Sequence, residues 1–166
     1  MILVDTDILS ALGKIDRLPL LFAVLRTTRL HIAPAVFHEV TQSLTLRRPY
    51  ADAVLALVTT GQIEVLALTD REAMVRDSLP TTLGTGERES IAIAKERGGT
   101  VLSNESRVAH YCRHSQVSCV RLPEILRALW VEGVMTKQEV EHLIKELQAK
   151  DHMQFKPSTL AAILTE

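Results

Sequence analysis

Apolar runs of three or four residues recur along the chain, and each is followed by a longer stretch with helical periodicity. The runs are Ile2-Leu3-Val4, Leu30-His31-Ile32-Ala33, Ile63-Glu64-Val65-Leu66, Thr100-Val101-Leu102-Ser103 and Val117-Ser118-Cys119-Val120. Strands so short and so apolar read as buried on both faces. That is the habit of parallel strands, whose crossover helices cover the sheet. The alternation therefore specifies an α/β fold, a central and mostly parallel sheet of about five strands between helices.

The segments between the strands complete the pattern. Residues 8–12, 18–25 and 51–60 read as helices, as does the stretch opened by Pro34, a residue suited to a first helical turn. Residues 70–78, 87–97 and 107–114 read likewise, the second of them stopped by Gly98-Gly99. Three further helices are expected over 122–131, 137–150 and 158–164, where apolar stripes such as Leu143-Ile144-Leu147 need a surface to cover. No linker, repeat or low-complexity stretch divides the 166 residues. One domain is expected, with an α/β core over about 1–121 and a helical extension over about 122–166 packed on it.

In a parallel sheet, ligands bind at the carboxyl ends of the strands. Asp5 and Asp7 follow the first strand, Glu39 lies early in the helix after the second, and Asn104-Glu105 follows the fourth. Glu87 and Glu89 open the helix that leads into the fourth strand. If the sheet reverses its order beside the first strand, these acids meet in one crevice. Gathered carboxylates raise one another's pKa unless a cation compensates them. Hard oxygen donors suit Mg²⁺ or Mn²⁺, and such a site can activate water against a phosphodiester.

Each acid also has an ordinary explanation. Glu87 and Glu89 sit where the helix dipole favours acids, and their two-residue spacing lets only one reach a given point. Glu39 can be a solvated helix acid, and Asn104 and Glu105 turn residues. Asp7 reads best as a cap for the helix after it, or as support behind Asp5. Their shared position at strand ends is the stronger observation.

On these residues the chain resembles a PIN domain, the metal-dependent ribonuclease family that includes VapC-type toxins. "ILVDTDIL" resembles the family's opening strand, with Asp5 as first acid and Thr6 beside it. "APAVFHEV" resembles its second motif, with Glu39. "LGTGERESIAIAKERG" is similar to the Gly-Glu-x-Glu helix of one subgroup, with Glu89 best placed as third acid and Glu87 beside it. "TVLSNESRVAHYC" resembles the fourth motif, with Ser103, Asn104 and Glu105, and the tail from Leu122 also matches that subgroup. The resemblance implies a three-layer α/β/α sandwich and Mg²⁺ or Mn²⁺ held by Asp5, Glu89 and Glu105, with Glu39 also catalytic. It further implies RNA as substrate, a small antitoxin encoded alongside, and a homodimer. The fourth motif departs from the family, which has Asp and often an Asp-Asp pair where this chain has Asn104-Glu105. Glutamate is longer by a methylene and asparagine is neutral, so a weakened site that only binds RNA or a protein is an alternative.

A formal charge of −1 gives no global basic signature, so RNA must be held locally. Arg47, Arg48, Arg88, Arg107 and His110, with His114 one turn further on, are the nearby cations. Aromatic residues make up 4% of the chain, too few for broad base stacking, and Trp130 reads as core or interface. A haloacid-dehalogenase-type phosphatase shares the opening Asp-x-Asp but needs a Gly-Asp pair that is absent. Phosphate-binding glycine loops, zinc-protease and hydrolase-elbow signatures are absent too. Cys112 and Cys119 read as reduced, half-buried thiols. No apolar run approaches the roughly 18 residues of a membrane span, and a cytoplasmic protein with no membrane partner is expected.

Overall fold

The structure, a computed structural model, describes residues 1–165. Five parallel strands, β1 (Ile2–Val4), β2 (Leu30–Ile32), β3 (Ile63–Val65), β4 (Thr100–Leu102) and β5 (Ser118–Val120), form one sheet in the order β3-β2-β1-β4-β5. The first strand is thus the central one. Leu3 pairs with His31 on one side and with Val101 on the other. Leu3 and Val4 are fully buried, as a run apolar on both faces requires.

The helices before β4 are α1 (Thr6–Lys14), α2 (Pro19–Val24), α3 (Pro34–Thr45), α4 (Pro49–Thr59), α5 (Asp70–Ser78) and α6 (Thr85–Arg97). After it come α7 (Ser106–His114), α8 (Leu122–Val131), α9 (Lys137–Lys150) and α10 (Pro157–Leu164). The chain moves from β1 to β2 to β3 in one direction along the sheet, then returns through β4 to β5. Right-handed crossovers therefore put α1–α4 on one face and α5–α7 on the other, the α/β/α sandwich.

Local chemistry sets the boundaries. Pro19, Pro34, Pro49 and Pro157 open their helices, where a missing N–H costs nothing. Gly98 closes α6 with φ of 69°, a conformation that favours glycine. Several starts come earlier than the sequence predicts, among them α4 at Pro49 rather than 51, and two of them shape the site. The first helix begins at Thr6 because Asp5 takes the cap position and accepts the Thr6 N–H at 2.9 Å. Helix α6 begins at Thr85, with Glu87 reaching back to accept the Gly84 N–H at 2.7 Å.

The last three helices lie along α1 and α2: α8 against α2, α9 against α1, and α10 against α8. Their apolar residues Leu126, Leu143, Leu147 and Ile163 belong to the same core as Leu3 and Val101. Trp130 fastens α8 to α10 by donating its Nε1–H to the Ile163 carbonyl at 2.8 Å. No helix among the described residues is long and apolar enough to cross a membrane. Both cysteines are free, and Cys112 is fully buried rather than half-buried.

Candidate active site

The order reversal beside β1 opens a crevice at the carboxyl ends of β1 and β4. Asp5 leaves β1 there, held to β4 by its N–H on the Leu102 carbonyl at 2.9 Å. Its side chain is 5% exposed. Burial above all, then the charges of Asp7 and Glu87, push its pKa from 3.8 up to about 7 against the opposing Thr6 N–H and Ser103 hydroxyl.

Asp7 stands one helical residue inside α1, not at its cap. One carboxylate oxygen accepts the Ile8 N–H and the other the Asn104 N–H, both at 2.7 Å. Burial above all, helped by the charges of Glu105 and Glu87, raises its pKa to about 6 against the lowering effect of those two bonds. Asp7 therefore ties the first helix to the loop after β4. Ser103, fully buried, holds the same loop by accepting the Glu105 N–H at 3.2 Å.

Glu39 arrives from α3. Its Oε2 accepts the Thr6 hydroxyl, which couples the second motif to the first. The approach of α6 to α3 is equally tight. A Cβ on Gly86 would meet Val36 Cγ2 at 2.9 Å and Glu39 Oε1 at 3.4 Å, so only glycine lets the start of α6 lie this close. That contact sets Glu87 beside Asp5 and Asp7, whose charges it perturbs.

The third acid of the sequence reading, Glu89, faces elsewhere. It is 6% exposed, accepts the Ala35 N–H at 2.8 Å, and lies 3.8 Å from Arg76 Nη1. Pro34 and Ala33 leave α3 with no side-chain cap of its own, and Glu89 supplies the missing acceptor. Residues two apart on a helix point to different sides, and the side that meets Asp5 is that of Glu87. Glu105 is exposed, at the cap position of α7, and its charge raises the pKa of Asp7.

Of the predicted cations, Arg107 donates to the Thr82 carbonyl at 2.9 Å and braces the loop before α6. Arg88 stands beside Glu87, with its Nε buried and unpartnered among the described residues. Arg47 and Arg48 are exposed in the turn between α3 and α4, and His110 is exposed on α7 with its ring against His114. Sequence reasoning missed Arg121. It directly follows β5, and its Nη2 donates to the Asn104 carbonyl at 3.2 Å. Looking for cations as well as acids at strand ends would have found it.

Asp5, Asp7, Glu39, Glu87 and Glu105 thus gather from four separate stretches of chain. Carboxylate oxygens are the donor set of a hard divalent cation, so the chemistry fits Mg²⁺ or Mn²⁺. Their spacing is wider than one ion's shell: among the described residues no three Asp, Glu, His or Cys side chains close into a ready-made metal nest. A family model described as a PIN domain matches residues 1–166. No curated protein and no solved structure matches the chain.

Proposed function

Because the chain belongs to the PIN-domain family, whose members are generally nucleases, we propose that it is a divalent-metal-dependent ribonuclease. The observation that carries the reading is the convergence of strand-end acids on one crevice. Asp5, Glu39 and Glu105 are assigned to the metal, with Glu87 in the place expected for Glu89. The bound cation would supply a more acidic water and neutralise charge on the phosphodiester. The chain's own residues prepare that chemistry. Thr6 orients Glu39 through its hydroxyl, and Ser103 turns the loop that presents Glu105. Asp7, with both oxygens on backbone N–H groups, is a positioning residue. The phosphatase rival required it in the chemistry, so that commitment weighs against the rival. A toxin role, with a co-encoded antitoxin and a homodimer, belongs to the same reading and rests on family resemblance.

The fourth motif supports a second reading, a weakened site that binds RNA or a protein. Asn104 contributes backbone bonds, and Glu105 is exposed. One assay separates the two: cleavage of structured RNA in Mg²⁺ or Mn²⁺ by wild type, Asp5→Asn and Glu87→Gln. Metal-dependent cutting that falls on the order of 100-fold or more in both variants supports the nuclease. Binding without cutting across tRNA, rRNA and mRNA supports the module.

A further inference from the structure

Beside the acids lies a cavity of about 490 Å³ between α7, β5 and α8, lined by Ser106, Arg113, Cys119, Arg121 and Glu124 among others. Its size is within the roughly 300–1,000 Å³ of small-ligand clefts. We propose that it is a subsite for a phosphate-bearing nucleotide of the RNA next to the cleaved bond, with Arg113 and Arg121 as the phosphate ligands. The proposal rests on the ribonuclease reading.

Two observations carry it. First, neither arginine is in an ion pair among the described residues, whereas six of the chain's other eleven arginines are. Arg121 spends one Nη2 bond on the Asn104 carbonyl, and its buried Nε has no partner among the described residues. The nearby carboxylate, Glu124, already accepts the Arg121 backbone N–H at 3.0 Å. A guanidinium fork with spare donors suits a phosphate. Second, the cavity is wired to the acids. Arg121 holds the Asn104 carbonyl, and the Asn104 N–H is held by Asp7, at 3.2 and 2.7 Å. Ser106, on the rim, directly follows Glu105. The proposed path takes a strand of RNA leaving the crevice past Glu105 along this cavity.

The lining fixes what would be recognised. It has two arginines, a serine hydroxyl, one carboxylate (Glu124, occupied by the Arg121 backbone N–H) and no aromatic ring. Backbone phosphate and sugar are therefore held and the base is not stacked, so binding at this position is tolerant of sequence.

The test uses the full chain and a fluorescein-labelled single-stranded RNA oligonucleotide without divalent metal. Anisotropy is followed across salt concentration for wild type, Arg113→Ala, Arg121→Gln, the double variant, and Arg26→Ala as a distant arginine control. Arg113 is exposed, so its replacement leaves the fold intact. Each single variant should weaken binding about 5-fold or more and reduce the salt slope by about 1, with the control unchanged. Wild-type binding and slope in both single variants overturn the subsite. Cleavage in Mg²⁺ separates this failure from that of the parent reading. Cutting by wild type with an unchanged KM in the arginine variants removes the subsite and leaves the nuclease. Arginine-dependent binding with no cutting by wild type keeps an RNA site and removes the nuclease.

Discussion

Asp5 serves two purposes at once, as helix cap and as buried charge, and substitution separates them. Asparagine caps a helix as well as aspartate does. Asp5→Asn should therefore keep α1 and remove only the charge. Cleavage is lost, while thermal melting at pH 8 without metal shows a gain on the order of 1–3 kcal/mol. Asp7 behaves in the opposite way. Its two oxygens serve two N–H groups, and asparagine has a single acceptor, so Asp7→Asn must abandon Ile8 or Asn104. A loss of about 1–2 kcal/mol is expected, with a smaller effect on turnover than Asp5→Asn, read from melting and single-turnover kinetics. Glu87→Gln and Glu89→Gln form the third comparison. The first should reduce turnover with little change in melting. Glutamine at 89 keeps an acceptor for Ala35 but loses the Arg76 charge, so it should chiefly lower stability. The sequence made the two glutamates distinguishable in principle, since only one can face the crevice. Which one faces it depends on how α6 is rotated against α3, and that rotation is set by Gly86 on Val36, a contact between distant segments.

The start of α3 at Pro34 and the end of α6 at Gly98 were legible, because a proline or a glycine acts over a few residues. Less legible were the fastenings between elements. The Thr69 capping box of α5 includes Glu72, whose carboxylate also receives Arg97 from the far end of α6, at 2.5 and 2.8 Å. Arg97, and then the Thr69 bonds, hold the pKa of Glu72 at about 2, well below its ordinary 4.5, against the opposing effect of burial. A depressed carboxylate stabilises the fold above its unfolded pKa and ceases to do so as it protonates. Glu72→Gln should thus cost about 2 kcal/mol near neutral pH, and its gap from wild type should close as pH falls from 4.5 toward 2 in acid unfolding. At the other end of the same helix, Gly86→Ala forces α6 away from α3. A destabilisation of about 1–3 kcal/mol is expected, with a disproportionate fall in turnover because Glu39 and Glu87 are drawn apart.

At the scale of the whole molecule, the strand-end logic brings Asp5, Asp7, Glu39, Glu87 and Glu105 toward one end of the sheet, though not Glu89, because it needs only a topology, β1 in the middle with its neighbours on both sides. Arg121 and the cavity beside it escaped for the same reason: nothing in a short charged stretch says which surface will be hollow. The raised pKa values of Asp5 and Asp7 make the fold's stability responsive to pH and cation together. A carboxyl whose pKa rises from 3.8 to about 7 favours the folded chain most below 3.8, and that advantage disappears as pH climbs through 7. On the ribonuclease reading, a divalent cation would take over from the proton. Mg²⁺ or Mn²⁺ at about 100 times its dissociation constant should stabilise by about 2.7 kcal/mol at pH 8, much less at pH 5, and little in Asp5→Asn, as melting curves would show.

The position of β1 also governs timing. It is synthesised well before its strand partner β4, residues 100–102, to whose Leu102 carbonyl Asp5 donates its N–H. A ribosome that has reached Leu83 has made Asp5 and Glu39 but not the strand that seats Asp5, nor Glu87 or Glu105. Pairings so far apart in sequence form late. On the ribonuclease reading, a nascent chain that stops short of the fourth strand has no assembled site, and cutting would begin only once synthesis has passed that strand.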